Sequence, residues 1–188
     1  MRYTLSMTFF ALACAMATAP LAAQTTMSDS DYMAKVKAAA PASVVQGAQV
    51  VQMQPDGSMK TLQAGTNGFT CMVVPPGDAM CADANAMAWA KAFMSKATPP
   101  DAIGFAYMLA GDNGASNTDP WAKAKTADNH WVVTGPHVMI LGPAAKTMGY
   151  PTAADPDPTR PYVMWADTPY AHVMIPVSTQ PATATTPP

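Results

Sequence analysis

The chain has 188 residues, 49% of them hydrophobic and only 12% charged, with a formal net charge of -2. Lys35, Lys37, Lys60, Lys91, Lys96, Lys123, Lys125 and Lys146 are scattered. A polyanion surface needs grouped Lys and Arg to displace counterions, so the composition excludes nucleic acid as a partner.

In chain order, the first feature is a leader. Arg2 is the only charge ahead of an apolar stretch centred on Phe9 to Ala17, the layout of a secretory signal peptide. Pro20 breaks the run, and Leu21-Ala22-Ala23 offers small or aliphatic residues to signal peptidase, which predicts a new N-terminus at Gln24. A membrane anchor needs roughly 20 mainly apolar residues, and this stretch is shorter and interrupted. Lipidation at Cys14 is the other reading, although Leu12 stands one residue out of register for it. The predicted organisation is a signal peptide over 1-23, one globular domain over 24-177, and a disordered Thr/Pro/Ala tail over 178-188. Removing the leader deletes Arg2 and no acid, moving the formal charge from -2 to -3. The mature protein is then periplasmic or secreted, with no membrane span.

Cys71 and Cys81 remain in a compartment where thiols oxidise, which predicts a structural disulfide between them. The Pro-Gly-Asp turn at Pro76-Gly77-Asp78 folds the chain back to bring them together. Nine intervening residues do not suit a redox Cys-x-x-Cys pair.

Ser28 to Ala40 carries a Ser/Asp cap, early acids and late lysines, and predicts a helix stopped by Pro41. Ala48 to Met53 and Met59 to Gln63 flank Pro55-Asp56-Gly57-Ser58 and read as a hairpin, with Phe69 to Val74 as a third strand of an antiparallel meander. Asp83 caps a second helix, on which Met87, Ala90 and Met94 fall at helical spacing with Trp89 and Phe93, ended by Pro99-Pro100. Apolar segments at Ile103 to Ala110, Trp131 to Leu141, Tyr162 to Trp165 and Ala171 to Val177 predict buried strands. The fold class is therefore α+β, a mainly antiparallel sheet covered by one or two helices in a single domain.

One pattern stands apart from composition. Gly135-Pro136-His137-Val138-Met139-Ile140 and Tyr170-Ala171-His172-Val173-Met174-Ile175 share four residues. Side chains alternate along a strand, so Val and Ile take one face while His and Met share the other. Two such strands side by side in register gather His137, Met139, His172 and Met174, whose imidazoles and thioethers suit a soft metal, copper above all. The competing reading is plain core packing, a common use of Met.

Other constellations are weaker. Gly111 to Pro120 and Asp128-Asn129-His130 supply Ser116, His130 and Asp for a small hydrolase, without the Gly-x-Ser-x-Gly elbow. Asp155-Pro156-Asp157-Pro158 places two carboxylates on a stiff segment for Ca²⁺, or simply forms a turn. Trp121, Trp131, Tyr150, Tyr162, Trp165 and Tyr170 either line a sugar or peptide groove or seal core edges. EF-hand, paired Cys-x-x-Cys zinc, phosphate-loop and His-Glu-x-x-His motifs are absent from the sequence.

The run from Gly135-Pro136-His137 through Tyr162-Val163-Met164-Trp165-Ala166 to Thr168-Pro169-Tyr170-Ala171-His172-Val173-Met174-Ile175-Pro176-Val177 resembles an uncharacterised family of exported bacterial proteins. The resemblance spans about Asn67 to Val177, including Cys71 and Cys81. It implies export and no particular activity. The expected function is a non-enzymatic domain that binds a small ligand or protein partner, with the hydrolase as the alternative.

Overall fold

The computed structural model describes residues 27–177. The predicted leader, Cys14 and the tail lie outside the described residues.

Helix α1 (Asp29–Lys37) starts where Ser28 accepts the Asp31 amide at 3.2 Å, and its early acids and late lysines oppose the helix dipole. Pro41, expected only as a stop, also opens a short helix α2 (Ala42–Gly47). Strands β1 (Gln49–Met53) and β2 (Met59–Gln63) form the expected hairpin. Strand β3 (Phe69–Val74) does not continue a meander, because it pairs with β1 in parallel. The cause is the 64–68 connection. The amides of Thr66 and Asn67 both donate to the Gly47 carbonyl, and a Cβ on Gly65 would overlap the Gln49 backbone. The chain is thereby carried across β1 to its far side.

Strand β4 (Asp78–Asp83) returns antiparallel to β3 and sets Cys71 directly opposite Cys81, where they form the disulfide. Both cysteines are fully buried. Closing a loop of this length removes denatured-state freedom worth about 2–3 kcal/mol. Urea unfolding of a Cys71→Ser/Cys81→Ser protein is expected to show that loss, and an unchanged midpoint would contradict it.

Asp83 then caps α3 (Ala84–Met94) by accepting the Ala86 amide at 2.8 Å. Beyond it come β5 (Gly104–Met108), β6 (Ala115–Ser116), β7 (Trp131–Val132) and β8 (His137–Leu141). A 3₁₀ turn (Pro143–Lys146), β9 (Tyr162–Met164) and β10 (His172–Pro176) complete the described chain. The segment expected to be one strand over Trp131 to Leu141 is split. Thr134 gives its amide to Asp112 at 2.8 Å, and Pro136 has none to give.

Eight strands make one mixed sheet in the order β2-β1-β3-β4-β5-β8-β10-β9, antiparallel apart from β1 with β3. The fold is α+β in a single domain, with three helices rather than one or two among the described residues. One face is packed by α1 and α2 over Val50, Cys71, Ala79 and Cys81, and farther along by the 3₁₀ turn over Val163 and Val173. The opposite face carries the larger core, with α3 and Val132 over Ala82, Ala106, Met139 and Met174. Helix α3 approaches so closely that a Cβ on Gly104 would overlap the Ala86 backbone. No helix of the described residues is long and apolar enough to cross a membrane.

Candidate functional site

The two His-Val-Met-Ile segments are the bodies of β8 and β10, and these strands are direct neighbours. Their antiparallel register pairs His137 with Pro176, Met139 with Met174, and Leu141 with His172. All four candidate ligands therefore share the α3 face, with Val138, Ile140, Val173 and Ile175 on the other. The histidines, however, stand at opposite ends of the pair. Four residue steps separate them, roughly 13 Å at strand rise, which sets the two imidazoles apart along the strand pair. The single four-residue cluster expected from the repeat is replaced by two ends of equivalent construction. Each histidine has a methionine two residues on along its own strand, and each faces another methionine on the outer neighbouring strand. Met108 of β5 lies opposite His137, and Met164 of β9 lies opposite His172. Directly opposite residues bring their Cβ atoms to about 4.5–5.5 Å.

At the first end, His137 is fully buried. Its Nδ1–H donates to the Gly135 carbonyl at 2.7 Å. A carbonyl only accepts, so the tautomer is fixed and the neutral ring keeps its lone pair on Nε2. That buried Nε2 has no hydrogen-bond partner. Burial holds the His137 pKa below the ordinary value, against the opposing pull of the Gly135 carbonyl and of the Asp112 and Asp78 carboxylates. Burial likewise raises Asp112, although the Thr134 amide, His137 and the Gly114 amide oppose that shift. Thr134 and Tyr162 share a buried hydroxyl hydrogen bond of 2.8 Å, and desolvation pushes the Tyr162 phenol up to about 12. Asp112 and Asp78 also line an open pocket of about 240 Å³ with Lys35, Gly77 and Asn113.

At the second end, His172 is 3% exposed and its Nδ1–H donates to the Tyr170 carbonyl at 3.0 Å. The same tautomer follows, again with the lone pair on Nε2. The imidazole meets Trp89 and Trp165 at steep angles, with centroids 5.5 and 4.8 Å away. Both indoles belong to a column of near-parallel rings that continues through Phe93 to the half-exposed Trp121, while Tyr170 stands perpendicular to it. Trp165 holds a left-handed φ of 56°, an unusual state for a bulky residue. It is pinned there by its indole N–H on the Ser116 carbonyl at 2.7 Å and its amide on the Asn117 carbonyl.

No family model, no curated protein and no solved structure matches this chain.

The remaining candidates are engaged elsewhere. Ser116 is buried, and its hydroxyl oxygen accepts the Thr118 and Asp119 amides at 3.2 and 2.8 Å. His130 pairs through Nδ1 with Asp155 at 2.9 Å, and no hydrogen bond joins it to Ser116 among the described residues. The hydrolase arrangement thus lacks its nucleophile–base contact. Asp157 accepts the amide and hydroxyl of Thr159 in a turn, so the two carboxylates of that stiff segment point to separate partners. Of the six late aromatics, Trp121 and Trp165 belong to the column with Tyr170 edge-on to it, and Tyr150 packs against the Val163 and Val173 cluster on the other face. Tyr162 serves the Thr134 hydrogen bond, and Trp131 packs against Gly114. They do not line a common groove. Among the described residues, no three His, Cys, Asp or Glu side chains converge on a metal position. Any ion held on this face would depend on thioether sulfur.

Sequence reasoning missed Met108 and Met164, because neither belongs to the repeat. It also missed the Nδ1–carbonyl contacts, although both have a visible cause: each histidine starts a strand two residues after its acceptor, Gly135 or Tyr170.

Proposed function

We propose that this chain is an exported, non-catalytic metal-binding domain that takes a soft monovalent cation, Cu(I) in its chemistry, through His137 with Met108 and Met139. The observation that carries the reading is the buried, unpartnered Nε2 of His137 on a face lined by methionines. A buried acceptor without a partner is costly in an ordinary core. A metal-binding imidazole characteristically gives its other N–H to a carbonyl or carboxylate, as His137 does to Gly135. Thioether and neutral imidazole together select Cu(I) over harder ions. The Asp112 and Asp78 carboxylates act on His137 in the sense that favours positive charge there.

Export is supported by the leader pattern and by the disulfide, which suits an oxidising compartment. The ligand- or partner-binding role expected from the sequence thereby acquires a specific ligand class. The hydrolase reading has no observation in its favour.

The test is an anaerobic titration of the full chain with Cu(I) buffered by bicinchoninate. Wild-type protein is expected to hold Cu(I) against the chelator and to gain about 2.7 kcal/mol of stability at 100-fold free metal over Kd. His137→Ala is expected to release at least one equivalent. Undiminished retention by His137→Ala, or no retention by the wild type, would contradict the reading.

A further inference from the structure

We infer that the face carries a second soft-metal site, formed by His172, Met164 and Met174, so that the protein binds two monovalent ions rather than one. The inference rests on the Cu(I) reading above and extends it to the other end of the strand pair. Its basis is an approximate twofold relation built into the register. Antiparallel β8 and β10 cross at the Met139–Met174 pair, and turning the pair about that point exchanges His137 with His172. The same turn exchanges the outer partners, because Met108 faces His137 from β5 just as Met164 faces His172 from β9. The orienting contact is repeated as well. Each Nδ1–H is taken by the carbonyl two residues earlier, Gly135 in one case and Tyr170 in the other, leaving each Nε2 with a lone pair. All the thioethers concerned, Met108, Met139, Met164 and Met174, are buried in one cluster.

The surroundings differ, and the difference makes the two positions distinguishable. His137 lies within the electrostatic reach of the Asp112 and Asp78 carboxylates. His172 is enclosed by the indoles of Trp89 and Trp165. With the indole centroids 5.5 and 4.8 Å from the imidazole, a soft heavy ion bound to this ring is expected to quench their emission. The ligand is a d¹⁰ monovalent cation, for which Ag(I) is an air-stable stand-in.

The experiment titrates the full chain with Ag(I), following tryptophan emission while bound metal is counted after gel filtration. Wild-type protein is expected to bind two equivalents. His137→Ala is expected to bind one and keep the tryptophan quenching, whereas His172→Ala is expected to bind one and lose it. Met164→Leu keeps core volume and removes only the thioether, so it tests the site where His172→Ala fails to fold, which circular dichroism reports. It is expected to weaken the quenching phase about tenfold and leave the other phase in place. One equivalent that only His137→Ala removes would overturn the second site and leave the first standing. No binding at all would overturn both.

Discussion

Replacing Trp89 with alanine is expected to lower the unfolding free energy by about 3–5 kcal/mol, the range for truncating a buried large aromatic. Trp89 is 5% exposed, and although its buried indole N–H has no hydrogen-bond partner, aromatic rings surround it. It stacks on Phe93 and Trp165, meets Tyr170 edge-on, and closes over His172. Helix α3 places it there through the Asp83 cap, so the ring ties the helix to β10 and to the Trp165 turn. Removing it deletes a large apolar area and leaves a void bounded by rings already fixed by other contacts. Phe93 also stacks on Trp121, and the Trp165 indole is hydrogen-bonded to Ser116, so neither can collapse freely into the space. Urea unfolding followed by far-ultraviolet circular dichroism measures the loss. A change below about 1 kcal/mol, the scale of an ordinary surface substitution, would show that the column does not anchor the helix.

Acid is expected to destabilise the metal-free protein by of order 3 kcal/mol between about pH 6.5 and pH 4, through His172 alone. Burial, partly offset by the Tyr170 carbonyl and reinforced by His137, pushes the His172 pKa down to about 4. In the unfolded chain the same imidazole titrates near 6.5. Within that window the unfolded state binds the proton and the folded state does not, so stability falls as the pH drops and is recovered above it. His137 is shifted in the same direction by the same cause. Asp112, raised by burial, works oppositely: its folded form favours the proton, and what it contributes is lost as the pH rises. Urea midpoints at successive pH values test the balance. A His172→Gln protein is expected to show a flatter profile, and a profile as steep as wild type would remove His172 as the cause. The two predictions are linked, because Trp89 is one of the rings that bury His172, so Trp89→Ala is expected also to reduce its share of the acid sensitivity.

Much of this architecture was legible in the residues. The alternation of His-Val-Met-Ile assigned each side chain to its face, and the shared tetrapeptide marked β8 and β10 as equivalent strands. The Pro-Gly-Asp turn anticipated the Cys71–Cys81 bridge, and the Ser28 and Asp83 caps located two helices. Local pattern did not fix strand direction. A repeat is equally satisfied by parallel and antiparallel neighbours, yet only the antiparallel choice sends the two histidines to opposite ends. The parallel pairing of β1 with β3 depends on the crossing at Gly47 and Gly65, a tertiary contact with no local periodicity. Strand β4 was hidden because Asp-Ala-Met-Cys-Ala-Asp lacks β-branched residues, and it is held as a strand by its neighbours β3 and β5.

The candidate site was half legible. His137, Met139, His172 and Met174 were visible as a set, but their division into two ends required the register, and Met108 and Met164 required the neighbouring strands. The aromatic column was assembled from residues between positions 89 and 170 that no sequence window contains together. Its strained member, Trp165, gives no sequence sign of a left-handed backbone.

The coordination claim is tested most directly by X-ray absorption at the copper edge on anaerobically Cu(I)-loaded full-length protein. The arrangement described above predicts a mixed shell of imidazole nitrogen and thioether sulfur, with the nitrogen contribution reduced in His137→Ala. A shell of nitrogen and oxygen alone, unchanged by that substitution, would place the metal elsewhere and contradict the account.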